Sequence, residues 1–162
     1  MRFMSSRQKG FTLTEMMVVA AILAIIAGAA LPLTKIAVKR EKEFELRRNL
    51  RTIRDAIDAY KRLADEKKIE TEDGTDGYPP SLEILVKGVK AKPDEKSGKK
   101  AEERLIKFLR RIPKDPMTNS LDWSLRSTQD SPDSNTWGEQ NVFDVSTKTR
   151  GTALDGTKYR DW

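Results

Sequence analysis

From Phe11 to Leu31 the chain is almost entirely apolar, and from Met16 to Leu31 no side chain is charged or polar. A helix rises about 1.5 Å per residue, so this run can cross a hydrocarbon core about 30 Å thick. Beyond Leu33 the pattern becomes a stripe. Leu46, Leu50, Ile53, Ile57, Tyr60 and Ala64 recur at spacings of four and three on a charged background, which predicts one buried face of an amphipathic helix. Two acid-before-base pairs at i,i+4, Glu43–Arg47 and Asp58–Arg62, add about 0.3–0.5 kcal/mol each. Span and stripe together predict one helix of about 55 residues, about 80 Å long. Gly28 and Pro32 are its expected weak point, because proline removes a backbone donor and crowds the preceding turn.

After Lys68 the periodicity stops at "ETEDGTDGYPP", a loop dense in Asp, Gly and Pro. Ser81 is placed to cap a short helix carrying Leu82, Ile84 and Leu85. A lysine-rich loop spans residues 87–100. "AEERLIKFLRRIP" then reads as a second short helix, with Leu105, Ile106, Phe108 and Leu109 inward and Pro113 as its stop. "LDWSLR" (Leu121 to Arg126) and "NVFDVS" (Asn141 to Ser146) alternate like half-buried strands, joined by a polar loop. A small antiparallel sheet follows, and the fold class is α+β. The sequence contains no internal repeat.

Composition removes several function classes. With neither cysteine nor histidine, the chain has no disulfide framework, no thiolate or imidazole catalysis and none of the common zinc sites. A mean hydropathy of −0.65 despite the apolar run makes the remainder strongly polar. The formal charge of +6 is unevenly spread: Arg2, Arg7 and Lys9 contribute +3, and residues 87–100 a further +4, leaving −1 elsewhere. Basicity therefore lies in a tail and a loop. The loop lacks the interleaved aromatics of a nucleic-acid face, so it reads as solvated and no nucleic-acid partner is expected. No nucleophile–base pair or metal cluster stands out, so the chain is not expected to be an enzyme.

Glu15 raises the sharpest question, because a carboxylate inside a membrane is costly. One local answer is a capping box over Thr12-Leu13-Thr14-Glu15, in which the Thr12 hydroxyl and the Glu15 carboxylate satisfy free N–H groups at a helix start. An ordinary secretory signal is a second reading of the region, with a basic tail, an apolar core and the small residues "AGAA" (Ala27 to Ala30) as a cleavage site. The order of elements favours a third. Gly10 separates the basic tail from "FTLTE", and the apolar core follows that junction. "KGFTLTEMMVV" resembles the prepilin leader of the type IV pilin and type II secretion pseudopilin superfamily, and Pro32 falls on the proline that interrupts that family's first helix.

The resemblance implies that a membrane prepilin peptidase cuts between Gly10 and Phe11 and methylates the new amino terminus at Phe11. It also implies that Glu15, fifth in the mature chain, pairs with the N-terminal amine of Phe11 on a neighbouring subunit. The implied organisation is a leader over residues 1–10, a transmembrane and assembly helix over 11–33, an amphipathic continuation over 34–70 and a periplasmic head over 71–162. Lys35, Lys39, Arg40 and Lys42 oppose the positive-inside signal of the short tail, but long domains translocate largely regardless of charge. The N-terminus is therefore expected in the cytoplasm, with the chain a single-pass protein of a bacterial inner membrane.

"RRIPKDPMTN…W…VFDV…GTALDGTKYRDW" is similar to the C-terminal region of major pseudopilins of type II secretion. That similarity implies a pilin-like fold, a long helix on a three- or four-stranded sheet, and a homopolymer that works with minor pseudopilins and an inner-membrane assembly platform. It also implies calcium in the C-terminal loop. Asp155 and Asp161 are the candidate ligands, although Arg150 stands where an acid is expected, and two such carboxylates also serve as turn formers. Tyr159 and Trp162 read as packing residues. The expected function is a periplasmic pseudopilus subunit that helps export folded proteins. The alternatives are a surface type IV pilin for adhesion, motility or DNA uptake, and a soluble secreted binding protein with a removable signal.

Overall fold

A computed structural model describes residues 10–92, 104–131, 134 and 136–162, apart from the side chains of residues 29–32. The basic tail and most of the lysine-rich loop lie outside these residues. The chain divides into two compact units, one ending at Arg40 and the other spanning Glu41–Trp162. A single helix, α1 (Leu13–Asp65), runs through both. Pro32 lies inside α1, where the sequence led us to expect an interruption. One missing donor does not end a ladder that resumes on either side.

In the first unit the described apolar side chains of α1 face outward. Leu13, Met17, Leu23 and Ile25 are exposed, and the stretch long and apolar enough to cross a membrane has no buried portion. In the second unit α1 supplies the core. Leu46, Leu50, Ile53, Ile57 and Tyr60 are all at most 2 % exposed, so the stripe packs inward as its spacing required. Two polar residues share that buried face, Glu43 and Asn49. The Asn49 side-chain amide donates to the Lys114 carbonyl at 2.8 Å.

α1 ends at Asp65, short of the expected continuation to residue 70. The Lys68 N–H bonds the Leu63 carbonyl and the Lys67 N–H that of Ala64, each at 2.9 Å, with Lys67 left-handed at φ 55°. This is a Schellman stop. The anticipated Glu43–Arg47 and Asp58–Arg62 pairs are absent from the ion pairs among the described residues; the i,i+4 pair formed is Lys61–Asp65.

α2 (Leu82–Lys87) starts at Ser81, but the Ser81 hydroxyl makes no capping bond. Leu82 and Leu85 are buried beneath it. Strand β1 (Val89–Lys90) pairs antiparallel with β2 (Leu105–Ile106). The second short helix is thus corrected: Leu105 and Ile106 form a strand, and Leu105 points outward at 51 % exposure. Phe108 and Leu109 follow, both N–H groups reaching the Leu85 carbonyl at 2.9 Å. Gly88 makes this approach feasible. Its φ is 91°, and a Cβ there would fall 2.7 Å from the Ile106 carbonyl oxygen.

β3 (Ser124–Arg126) pairs antiparallel with β4 (Asp144–Ser146), Leu125 opposite Val145. Both strands lie within the segments expected from alternation and are shorter than them. The described residues thus hold two two-stranded antiparallel sheets packed with a long helix, an α+β arrangement consistent with a pilin-like fold. Asn141, fully buried, ties the loops together: its amide donates to the Thr75 carbonyl and the Thr128 hydroxyl, and its oxygen accepts from the Thr128 N–H.

Candidate functional site

The N-terminal site is built on the first turn of α1. Thr12 precedes the helix, and its hydroxyl accepts from the Glu15 N–H at 3.2 Å while its carbonyl accepts from the Met16 N–H. That is half of a capping box. The other half is not made: the Glu15 carboxylate has no hydrogen bond or ion pair among the described residues. It lies where the helix dipole favours negative charge, exposed and available to a cation from elsewhere. Gly10 and Phe11 precede the helix in non-helical backbone. Phe11 is 73 % exposed, and no described residue approaches within 4 Å of where a Gly10 side chain would be.

The C-terminal loop is organised around α1 residues that local spacing had paired with each other. One Glu43 carboxylate oxygen accepts from the Tyr159 hydroxyl at 2.7 Å and from the Leu154 N–H at 2.9 Å. One turn on, Arg47 donates to Asp155 at 3.1 Å and lies 4.0 Å from the centroid of the Trp162 ring. Tyr159 and Trp162 pack edge to face at 5.0 Å, as expected of packing residues, and each also makes a polar bond. Sequence reasoning missed the roles of Glu43 and Arg47, and the only available signal was an acid on the buried stripe.

This arrangement does not fit a calcium site. Asp155 accepts from the Thr157 hydroxyl and N–H through one oxygen and from Arg47 through the other. Those bonds, from Thr157 first and then Arg47, hold its carboxyl below the usual range. Asp161 is exposed beside Arg160 at 3.3 Å. Among the described residues no group of three His, Cys, Asp or Glu side chains is placed to hold a metal. A guanidinium stands where a cation was anticipated. Tyr159 is buried against Glu43, and desolvation followed by that bond pushes its hydroxyl up to about 12.

No curated protein matches the chain, and no solved structure does. Residues 5–31 match the family described as the prokaryotic N-terminal methylation motif. The matched segment contains Gly10, Phe11 and Glu15 and the start of the exposed apolar helix. The chain thus carries at its N-terminus the methylation motif characteristic of the type IV pilin and pseudopilin family.

Proposed function

We propose that this chain is the major pseudopilin of a type II secretion system. In this reading the motif implies membrane association and assembly with other pilin-like subunits. Prepilin peptidase removes residues 1–10 and methylates Phe11, and the head lies in the periplasm. Copies join through an inner-membrane assembly platform, with minor pseudopilins as further partners. The growing pseudopilus helps move folded proteins across the outer membrane. Its role is structural, not enzymatic.

One observation carries the reading: a methylation motif whose Glu15 carboxylate is exposed and has no partner within the described chain. A lone carboxylate in a low-dielectric site is costly, and a compensating cation from another copy removes most of that cost. The amine of a processed Phe11 supplies such a cation. Glu15 therefore favours assembly over the isolated monomer and sets the register between copies. The choice of pseudopilus over surface pilus is supported by the C-terminal segment "RRIPKDPMTN" and by the absence of cysteine.

Two measurements test it. Intact mass spectrometry of membrane-extracted protein should give a chain beginning at Phe11 with one added methyl group; a chain beginning near Leu31 would establish an ordinary secretory signal instead. Glu15→Ala should insert and be cut normally yet form no filaments, as judged by microscopy beside an immunoblot of processed monomer. The cap at Thr12 uses the Glu15 backbone N–H and is kept in the Ala variant, so a loss of filaments would not be a loss of the cap. Normal filaments from the Ala variant as sole copy would reject the intersubunit role.

A further inference from the structure

The head carries opposite charges at two places along α1. Among the described residues a groove of about 790 Å³ presents Arg54, Arg126, Lys148, Arg150 and Arg160 against the side-chain carboxylates of Asp144 and Asp161. Arg54 is spent on Asp144, at 2.7 Å, and Lys148 on Asp122, at 2.6 Å. Arg160 meets only exposed Asp161. Arg126 and Arg150 make no ion pair among the described residues. Among the described side chains the groove therefore retains uncompensated positive charge, at Arg126 and Arg150.

The acidic counterpart is the loop "ETEDGTD", residues 70–76, which has four carboxylates and no base. Glu70, Glu72, Asp73 and Asp76 are all exposed. Asp76 accepts the Thr128 hydroxyl at 3.1 Å, and the other three make no ion pair among the described residues. This loop packs at the C-terminal end of α1, where Gly77 abuts Ala64. The Arg150–Arg160 end of the groove belongs with the segment held by Glu43 and Arg47. From Arg47 to Ala64 the helix rises about 25 Å, well beyond the Debye length of about 8 Å at physiological salt. The Arg150–Arg160 end of the groove and the acidic loop therefore do not neutralise each other within one subunit, whereas Arg126 lies at the loop's end, two residues from the Thr128 that bonds Asp76.

We propose that the basic groove receives the acidic 70–76 loop of a second copy of this chain. The inference rests on the filament reading for the parallel alignment of copies. Parallel helices displaced along their axis bring the acidic end of one head against the basic groove of the next. The contact joins two different surfaces, so it repeats without closing, as a filament requires. It adds register between heads to the register that Glu15 sets at the helix starts.

The chain has no cysteine, so introduced thiols report alone. Full-length Thr71→Cys/Thr149→Cys, treated in membranes with a short thiol cross-linker, should give a ladder of dimers, trimers and higher species that high salt removes. Either single variant should give no ladder. Arg150→Glu/Arg160→Glu should abolish the ladder, as should Glu72→Lys/Asp73→Lys, and combining the two reversals should restore it. None of these side chains holds the core, and circular dichroism would confirm folded heads. No ladder in the unreversed background, as expected if the chain's own lysine loop takes the acidic loop or a polyanion takes the groove, would overturn the proposal. So would a ladder indifferent to charge reversal. Filaments without the ladder would sink the groove contact alone; a ladder without filaments would uphold it and sink the filament reading.

Discussion

Tyr159 shows how far one buried hydroxyl couples parts of the chain distant in sequence. Its folded pKa is about 12 against an ordinary 10.0, because burial and the Glu43 carboxylate both disfavour the phenolate. The folded state thus holds a proton that the unfolded chain releases earlier. The stabilisation is complete below pH 10.0, and it is lost as pH rises through about 12. Tyr60, also buried, shifts in the same direction through desolvation and then Glu72. Spectrophotometric titration should therefore show two of the tyrosines ionising late. Tyr159→Phe should lose about 1.5–3 kcal/mol at neutral pH, the cost of a hydrogen bond to a charged acceptor, and its stability should fall less steeply above pH 10.0 than that of the parent. An equally steep fall would mean that Tyr159 is not the group responsible.

Among the elements, β1 and β2 are held together by a glycine. Gly88→Ala must place a methyl 2.7 Å from the Ile106 carbonyl oxygen at a φ of 91°. It should cost at least about 2 kcal/mol, combining left-handed strain with separation of the two strands. Urea unfolding would measure this, and a loss within error would show that β2 is free to move away. The same pair marks where the sequence stopped being legible. The α1 stripe was readable because six apolar residues repeat at helical period over nineteen positions. "LIKFL" is too short for period to decide, and its pairing with Val89–Lys90 is set by a partner distant in sequence. Glu43 and Arg47 misled for a related reason. Their spacing fits a local pair, whereas their actual partners are 116 and 108 residues away. Gly10, Phe11 and Glu15 were legible as a motif because they fall in one short contiguous segment, which the family match over residues 5–31 covers.

At the scale of the whole molecule, the core and the clasp at Glu43 and Arg47 both lie within Glu41–Trp162. A fragment beginning at Lys35 should therefore fold cooperatively without the apolar segment. Its thermal midpoint should be unchanged by millimolar calcium or by chelator, because Arg47 already occupies Asp155. A ligand that bound only the native state would raise the midpoint, and a rise with calcium would restore the metal to the C-terminal loop. The clasp also sets an order of events. Its two halves lie at opposite ends of the head sequence, so Glu43 has no partner until Leu154 and Tyr159 have joined it. Closing a contact of such long sequence separation carries a large loop-closure cost. Under the proposed function, with the head exported from its amino-terminal side, the clasp closes only after nearly all of the head has crossed.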